Sequence, residues 1–402
     1  MSKPIVPDAG RHTASRLAFM WLAGFDLRVT VLAVPPLLPI IRAQLGMDEK
    51  GVALLASLPV LLLGLAAIPG SLLVARLGAR LVLLVGLLLI AVGTAMRGVG
   101  STTAVLLLMT FVMGVGIAIS QPTMPALVRQ WFPDRITRAT GVWTGGLLVG
   151  EFVGAAATLV LVYPLVGGQW QLALAFWAIP VVFTIALMVL TEFRREPPAP
   201  EPGRGPVNGW PDWRRANVWQ LGLLQSSTSL IYFGANTFLP DYLHTHNQTE
   251  LIGPALTILN FSQIPASFVV GLLPWRILSH NGFLLSLSAL VLAGLPGLLS
   301  DQPAAVLSAA ALLGFSSACV LVVVLALPAL LAHAQDVARL SAGSATIGYL
   351  VAFTTNLIAG AVWDSTHIAA TGFLPVLAGA ALILLLGPRL VRSAVAARTA
   401  DR

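Results

Sequence analysis

The chain returns repeatedly to apolar runs about twenty residues long, of which LVLLVGLLLIAVGTAM from Leu81 to Met96 is typical. Wound as a helix rising about 1.5 Å per residue, such a run crosses a hydrocarbon layer about 30 Å thick. In hydrocarbon each backbone N–H and C=O must be paired within the chain, so many such runs point to an all-α membrane protein. Divided at charges, glycine and proline turns and polar clusters, the runs number twelve. They lie near 15–39, 51–74, 81–97, 103–128, 140–163, 171–191, 218–240, 252–273, 282–299, 304–331, 343–363 and 369–388. Only 10% of the residues are charged, where an ordinary soluble domain has about 25%.

Charge placement tests this division independently. With both termini cytoplasmic, all but Arg28, Arg42, Lys50 and Arg97 of the 23 basic residues fall in cytoplasmic segments, as the positive-inside rule requires. Arg42, Lys50 and Arg97 are expected in loops on the other side, and Arg28 alone stays within a span. The net charge of +7 is thereby explained by topology, and no nucleic-acid partner is expected. The N-terminal MSKPIVPDAGRHTASR is polar, and the run from Leu17 is longer than a signal-peptide core and lacks a cleavage site, so it is read as a retained first helix in a multi-pass inner-membrane protein. Cys319 is the single cysteine, which excludes an intrachain disulfide and leaves it a small buried hydrophobe.

The segment TEFRREPPAPEPGRGPVNGWPDWRRAN from Thr191 to Asn217 is rich in proline, glycine and charge. It divides the chain into a bundle over 1–191, a cytoplasmic linker over 192–217 and a second bundle over 218–402. The halves repeat each other. PALVRQWFPDRITRATGVWTGGLLVG from Pro125 matches PALLAHAQDVARLSAGSATIGYLVA from Pro328, setting Asp134 on Asp336, Gly141 on Gly343 and Gly146 on Gly348. Two six-helix repeats of one orientation describe the major facilitator architecture.

Five stretches carry a narrower resemblance: LRVTVLAVPPLLPIIRAQLG from Leu27, LLLIAVGTAMRG from Leu87, GVGIAISQPTMPALVRQWFP from Gly114, GVWTGGLLVGEFVGAA from Gly141 and LALPALLAHAQDVARLSAGSATIGYLVA from Leu325. In these the chain resembles the cyanate permease family of the major facilitator superfamily, together with its nitroimidazole-exporting relatives. The resemblance spans nearly the whole chain and puts the family's first-helix arginine on Arg28. It implies a secondary or facilitated transporter of a small monovalent anion, cyanate foremost, with proton-coupled export of nitroimidazole-like or drug-like compounds as the alternative. Two positions depart from the superfamily pattern. Ala75 stands where the loop after the second helix usually carries aspartate, and Thr110 stands where the fourth helix carries arginine. Asp26 and Glu151 depart from the narrower family, which often has Asn and a small residue there.

Arg28 is about the thirteenth residue of its span, near mid-bilayer. An uncompensated arginine there costs at least about 2.5 kcal/mol, so it must face a cavity or an anionic partner. A permanent, planar, donor-rich cation suits a small anion with delocalised charge. The competing reading is a fixed ion pair that holds helices together. Glu151 lies at similar depth in the fifth span, either as a proton carrier or counter-charge exchanged for substrate, or as a permanent partner of Arg28. Asp26 sits about 200° around the helix from Arg28, so it is a poor partner for it and is held as a second coupling candidate. Gln121, Trp143, Gln225, Tyr232, Asn236, Asn260, Gln263, Tyr349 and Asn356 are the expected polar and aromatic lining of a central chamber; the alternative for each is a hydrogen bond between helices. Pro35, Pro36, Pro39, Pro59, Pro122 and Pro125 are expected to kink helices.

The histidines, His12, His244, His246, His280, His333 and His367, fall at termini, loops or helix ends, and His244, His246 and Asp241 read as solvated loop residues, so no metal is expected. No HExxH, phosphate loop or G-x-S-x-G elbow is present, which removes the signals of direct ATP drive or hydrolytic catalysis. The expected molecule is a monomeric, cofactor-free transporter, not an enzyme, whose partners are a small anion, protons and the lipid bilayer.

Overall fold

A computed structural model describes residues 9–47, 49–99, 102–192 and 209–400, and among these every regular element is helical. Residues 193–208 of the expected linker, and His12's side chain, lie outside that description. The helices follow the twelve expected spans: α1 (Ala9–Leu32), α2 (Glu49–Leu65 with Ala67–Leu77), α3 (Ala79–Arg97), α4 (Thr103–Ser120 with Thr123–Trp131), α5 (Ile136–Ala157), α6 (Trp170–Phe176 with Ala178–Thr191), α7 (Ala216–Thr245), α8 (Ile252–Phe261 with Gln263–Leu272), α9 (Asn281–Leu298), α10 (Pro303–Leu331), α11 (Val337–Thr366) and α12 (Leu374–Ala400). Among the described residues, ten helices are long and apolar enough to cross a membrane, and α2 makes an eleventh when its two pieces, bent by 49°, are taken as one span. The exception is α7. Its 30 residues are long enough, but the run QSSTS from Gln225 to Ser229 and the polar Tyr232 and Asn236 lower its hydropathy.

Proline explains where four helices break. A proline removes the bond to the carbonyl four residues back and crowds it. Pro69, Pro125, Pro180 and Pro265 stand four residues after Leu65, Gln121, Phe176 and Phe261, and α2, α4, α6 and α8 break there. Pro35 and Pro36 end α1 in a 3-10 turn. Pro59 sits inside a helical segment that continues through it.

Glycines set the closest packing. Gly146, Gly150 and Gly154 recur every fourth residue on α5 and take the backbone of α1 directly against them: a Cβ on Gly146 would lie 3.0 Å from Phe25 N, and one on Gly150 would lie 2.9 Å from Phe25 Cα. Such small-residue stripes let membrane helices approach closely without hydrophobic drive. The repeat places α11 on α7 at the corresponding glycines, here against side chains, with Gly343 against Val218 and Gly348 against Gln225.

The first six and last six helices meet mainly on the arginine-rich side, where Arg76, Arg129, Arg135 and Arg339 end their helices. Gly141 of α5 lies against the backbone of Gly271 of α8, and Gly145 lies against Ser267. The Thr346 hydroxyl of α11 donates to the Gly64 carbonyl of α2 at 2.7 Å. On that side α6 is fixed by Glu192, whose buried carboxylate takes Arg16 Nε at 3.2 Å and lies 4.0 Å from Arg80 Nη2. The expected linker boundary at 192 therefore falls on a residue tied into the first helices.

Candidate functional site

The glycine stripe aims the two central charges. Trp21, Phe25 and Val29 of α1 press on α5, which turns Arg28 on the adjoining helix face toward the middle of the molecule. Glu151 follows Gly150 and is turned the same way. Between them lies a cavity of about 40 Å³ lined by Arg28, Leu148, Glu151, Thr228, Ser229, Tyr232, Phe233, Gln263, Ser317, Leu321 and Tyr349. Six helices contribute to it: α1, α5, α7, α8, α10 and α11.

Arg28 and Glu151 act on each other across this space, yet among the described residues no carboxylate oxygen comes within the 4.0 Å of an ion pair with Arg28. The group set beside its guanidinium is the Tyr349 phenol. Glu151, 8% exposed, accepts a hydrogen bond from the Tyr232 hydroxyl. The Tyr232 oxygen also lies 2.9 Å from Asn260 Oδ1. Asn260 Nδ2 donates to Asn236 Oδ1 at 3.1 Å and to the Leu256 carbonyl at 2.8 Å, and Gln263 Nε2 donates to Asn260 Oδ1 at 3.4 Å. Each charge from the first six helices thus meets a tyrosine from the last six.

Of the residues singled out from sequence, Arg28, Glu151, Tyr232, Gln263 and Tyr349 border the cavity, with Asn236 and Asn260 behind Tyr232. The others do not line it. Gln121 is buried at the break in α4. Trp143 is fully buried against Gly24, an α1–α5 packing residue with its indole N–H unpartnered. Gln225 packs its stem on Gly348. Asn356 stands off beyond Gly234 of α7, its carbonyl oxygen without a partner. Asp26 is 0% exposed and faces the interior of the first six helices, toward Thr184 of α6. Its two oxygens have no hydrogen-bond partner among the described residues.

One charge assignment is corrected. Arg97, expected in a loop, is the last residue of α3 and is 0% exposed. Its Nη2 donates to the Thr30 carbonyl at 2.8 Å. The reason lies in the end of α1, where the Val34 N–H turns to Val31 rather than Thr30. Arg97 therefore satisfies a carbonyl that the Pro35 break leaves open. Sequence reading also missed Thr228, Ser229 and Ser317; the unusually polar run QSSTS in a membrane helix was the available signal for the first two.

Two larger openings lie nearer the faces. One, of about 370 Å³, is lined by Phe238, Asp241, His244, Thr245, Gly360, Trp363 and Asp364. The other, of about 250 Å³ on the arginine-rich side, includes Ser71, Ala75, Gln130, Gly209 and Arg339. Among the described residues no group of three or more His, Cys, Asp or Glu side chains could hold a metal ion.

Comparison with known proteins places this geometry. Residues 20–356 match the Major Facilitator Superfamily model. The chain is 37% identical to the cyanate transport protein CynX of Escherichia coli over 169 residues, which are 42% of this chain and 44% of that protein, so the match spans less than half of that relative. It is 26% identical to the 2-nitroimidazole transporter of Escherichia coli over 359 residues, 89% of this chain and 90% of that one. In fold it resembles the major facilitator transporter FucP in its outward conformation, with a TM-score of 0.69 at 14% identity, covering 93% of this chain and 98% of that one. Apolar spans broken at prolines and a central cavity lined from both halves of the chain thus belong to a multi-pass membrane transporter of the Major Facilitator Superfamily.

Proposed function

We propose that this transporter moves a small monovalent anion across the inner membrane, with Arg28 as the anion's binding group and Glu151 as counter-charge or proton carrier. The observation that carries the reading is an intramembrane guanidinium that borders a cavity and, among the described residues, has no carboxylate within ion-pair distance. Cyanate is the anion favoured by the similarity to CynX. The bundle over 1–191 and the bundle over 218–402 rock about the site, joined by the linker over 192–217, with both termini cytoplasmic. Arginine-rich helix ends on that face support the orientation.

The size of the site also weighs in. A cavity of about 40 Å³ suits a triatomic anion, whereas drug-sized ligands occupy about 300–1,000 Å³. Similarity to the 2-nitroimidazole transporter over most of the chain supports the second reading, export of a compound of that kind, which requires the cavity to widen during the cycle.

Uptake of labelled cyanate into proteoliposomes containing wild type, Arg28→Ala, Arg28→Lys or Glu151→Gln, with and without a pH gradient, tests the first reading. Loss of charge-assisted bonds worth about 1.5–3 kcal/mol weakens apparent affinity about tenfold to a hundredfold in Arg28→Ala. Arg28→Lys keeps charge but loses the planar donor fork, so it falls between. Wild-type uptake by Arg28→Ala refutes the assignment, and intact nitroimidazole export by the same variant favours the second reading.

A further inference from the structure

We infer that Tyr232 is a positioning residue that reads the proton on Glu151 and relays its state to Asn260 in the last six helices. This rests on the reading of Glu151 as the proton-linked group.

The hydrogen bonds around Asn260 have a fixed direction. Asn236 Nδ2 donates to the Tyr232 carbonyl at 2.9 Å, which turns Asn236 Oδ1 to Asn260. Asn260 Nδ2 is committed to that oxygen and to the Leu256 carbonyl. A backbone carbonyl only accepts, so the Asn260 amide cannot be reversed without losing the bond, and it presents Oδ1 to the Tyr232 hydroxyl. Glu151 Oε1 presents itself to the same hydroxyl from the other side. The phenol has two acceptors and one hydrogen.

Which acceptor receives the hydrogen depends on Glu151. When Glu151 is ionised, a bond to the charged oxygen is about twice as strong as one to the amide, so Tyr232 donates to Glu151. Asn260 Oδ1 then keeps only Gln263, at 3.4 Å. When Glu151 holds a proton, it donates to the phenol oxygen, and the phenol hydrogen turns to Asn260. A continuous chain then runs from α5 through α7 to α8. No covalent bond changes except the one to the proton taken from water. Arg28, Tyr232, Gln263, Ser317 and Tyr349 are the groups that face Glu151 from α1, α7, α8, α10 and α11. Arg28 cannot lose its charge in the working range and free phenols titrate only near pH 10, so the carboxyl is the group whose state changes.

The two ends of the switch give opposite predictions. Tyr232→Phe removes the donor to ionised Glu151 together with the weaker acceptor of its protonated form, and raises its proton affinity about fivefold to tenfold. Asn260→Leu removes the acceptor used when Glu151 is protonated and lowers that affinity about two- to tenfold. The full-length protein in lipid nanodiscs is titrated while following the infrared carbonyl band of its protonated carboxyl group, assigned by its loss in Glu151→Gln. This readout needs no substrate. Opposite displacements in the two variants support the relay, since a merely structural role has no reason to change sign. Equal, absent or same-direction displacements overturn the relay and leave Glu151 as the titrating group. Because each variant tests a separate arm, either one that purifies folded is sufficient to overturn it. A wild-type spectrum in which no titrating band belongs to Glu151 overturns the proton-linked reading and the relay with it.

Discussion

Alanine at position 150 adds a single methyl group, and the structure specifies what that methyl meets. It would lie 2.9 Å from Phe25 Cα and 3.0 Å from Phe25 C on α1, against backbone that cannot turn aside. Carbon atoms settle about 3.5–4.0 Å apart, so α1 must retreat from α5 by roughly half an ångström to one ångström. Overpacking of this kind costs about 1–3 kcal/mol, and the better helix propensity of alanine returns up to about 1 kcal/mol. The net expectation is a loss of about 1–2 kcal/mol. A control is provided by Gly253 of α8, around which nothing lies within 4 Å; Gly253→Ala should be neutral or stabilising. Thermal unfolding of both variants in the same detergent makes the comparison. Because the displaced helix carries Arg28 and the helix it leaves carries Glu151, uptake in Gly150→Ala should fall by about tenfold or more, given that an ångström of misplacement can cost about a hundredfold. A Gly150→Ala protein that unfolds no earlier than Gly253→Ala and transports at the wild-type rate would refute the packing argument.

Three other variants probe features away from the cavity. Glu192→Gln leaves Arg16 and Arg80 facing each other without the buried carboxylate they share, and chemical denaturation should register a loss of about 3 kcal/mol; an unchanged midpoint would show the cluster to be idle. Arg97→Met strips the Thr30 carbonyl of its donor at a cost of about 1–3 kcal/mol, whereas Arg97→Gln, which still donates, should retain part of the stability. Equal losses in the two would rule out a capping role. Thr346→Val removes the hydroxyl bond to Gly64 across the two sets of helices. With about 1 kcal/mol withdrawn, spin-label distances between α2 and α11 should show the population open on the arginine-rich side rising about fivefold, and an unaltered distance distribution would count against that bond as a latch.

The spans were legible because hydrocarbon imposes one period and one length on every helix. What escaped was set by contacts that periodicity does not encode. The end of α1 is an example: Pro35 was visible as a kink, but that its break would open the Thr30 carbonyl and draw Arg97 out of a loop depended on α3 lying alongside. Trp143 shows the same gap, since an aromatic residue in a cavity helix reads alike whether it faces the chamber or a glycine on the next helix. Rotation around α1, by contrast, was readable. Arg28 borders the cavity while Asp26 is buried and turned toward Thr184 of α6, as their angular separation implies. Thr228, Ser229 and Ser317 went unnoticed because single hydroxyls in membrane helices usually bond back to their own backbone, and Thr228 and Ser317 do so here while still lining the space.

The stripe of Gly146, Gly150 and Gly154 has a mechanical meaning beyond close packing. Helices joined backbone to backbone over about two turns move as one body in the proposed cycle, so the separation of Arg28 and Glu151 is held constant whichever way the transporter faces. A cycle built on this frame cannot work by pulling its two charges apart. What can vary is the company those charges keep: the phenols of Tyr232 and Tyr349 belong to the other set of helices, and in the proposed cycle cargo or a proton takes the places they vacate.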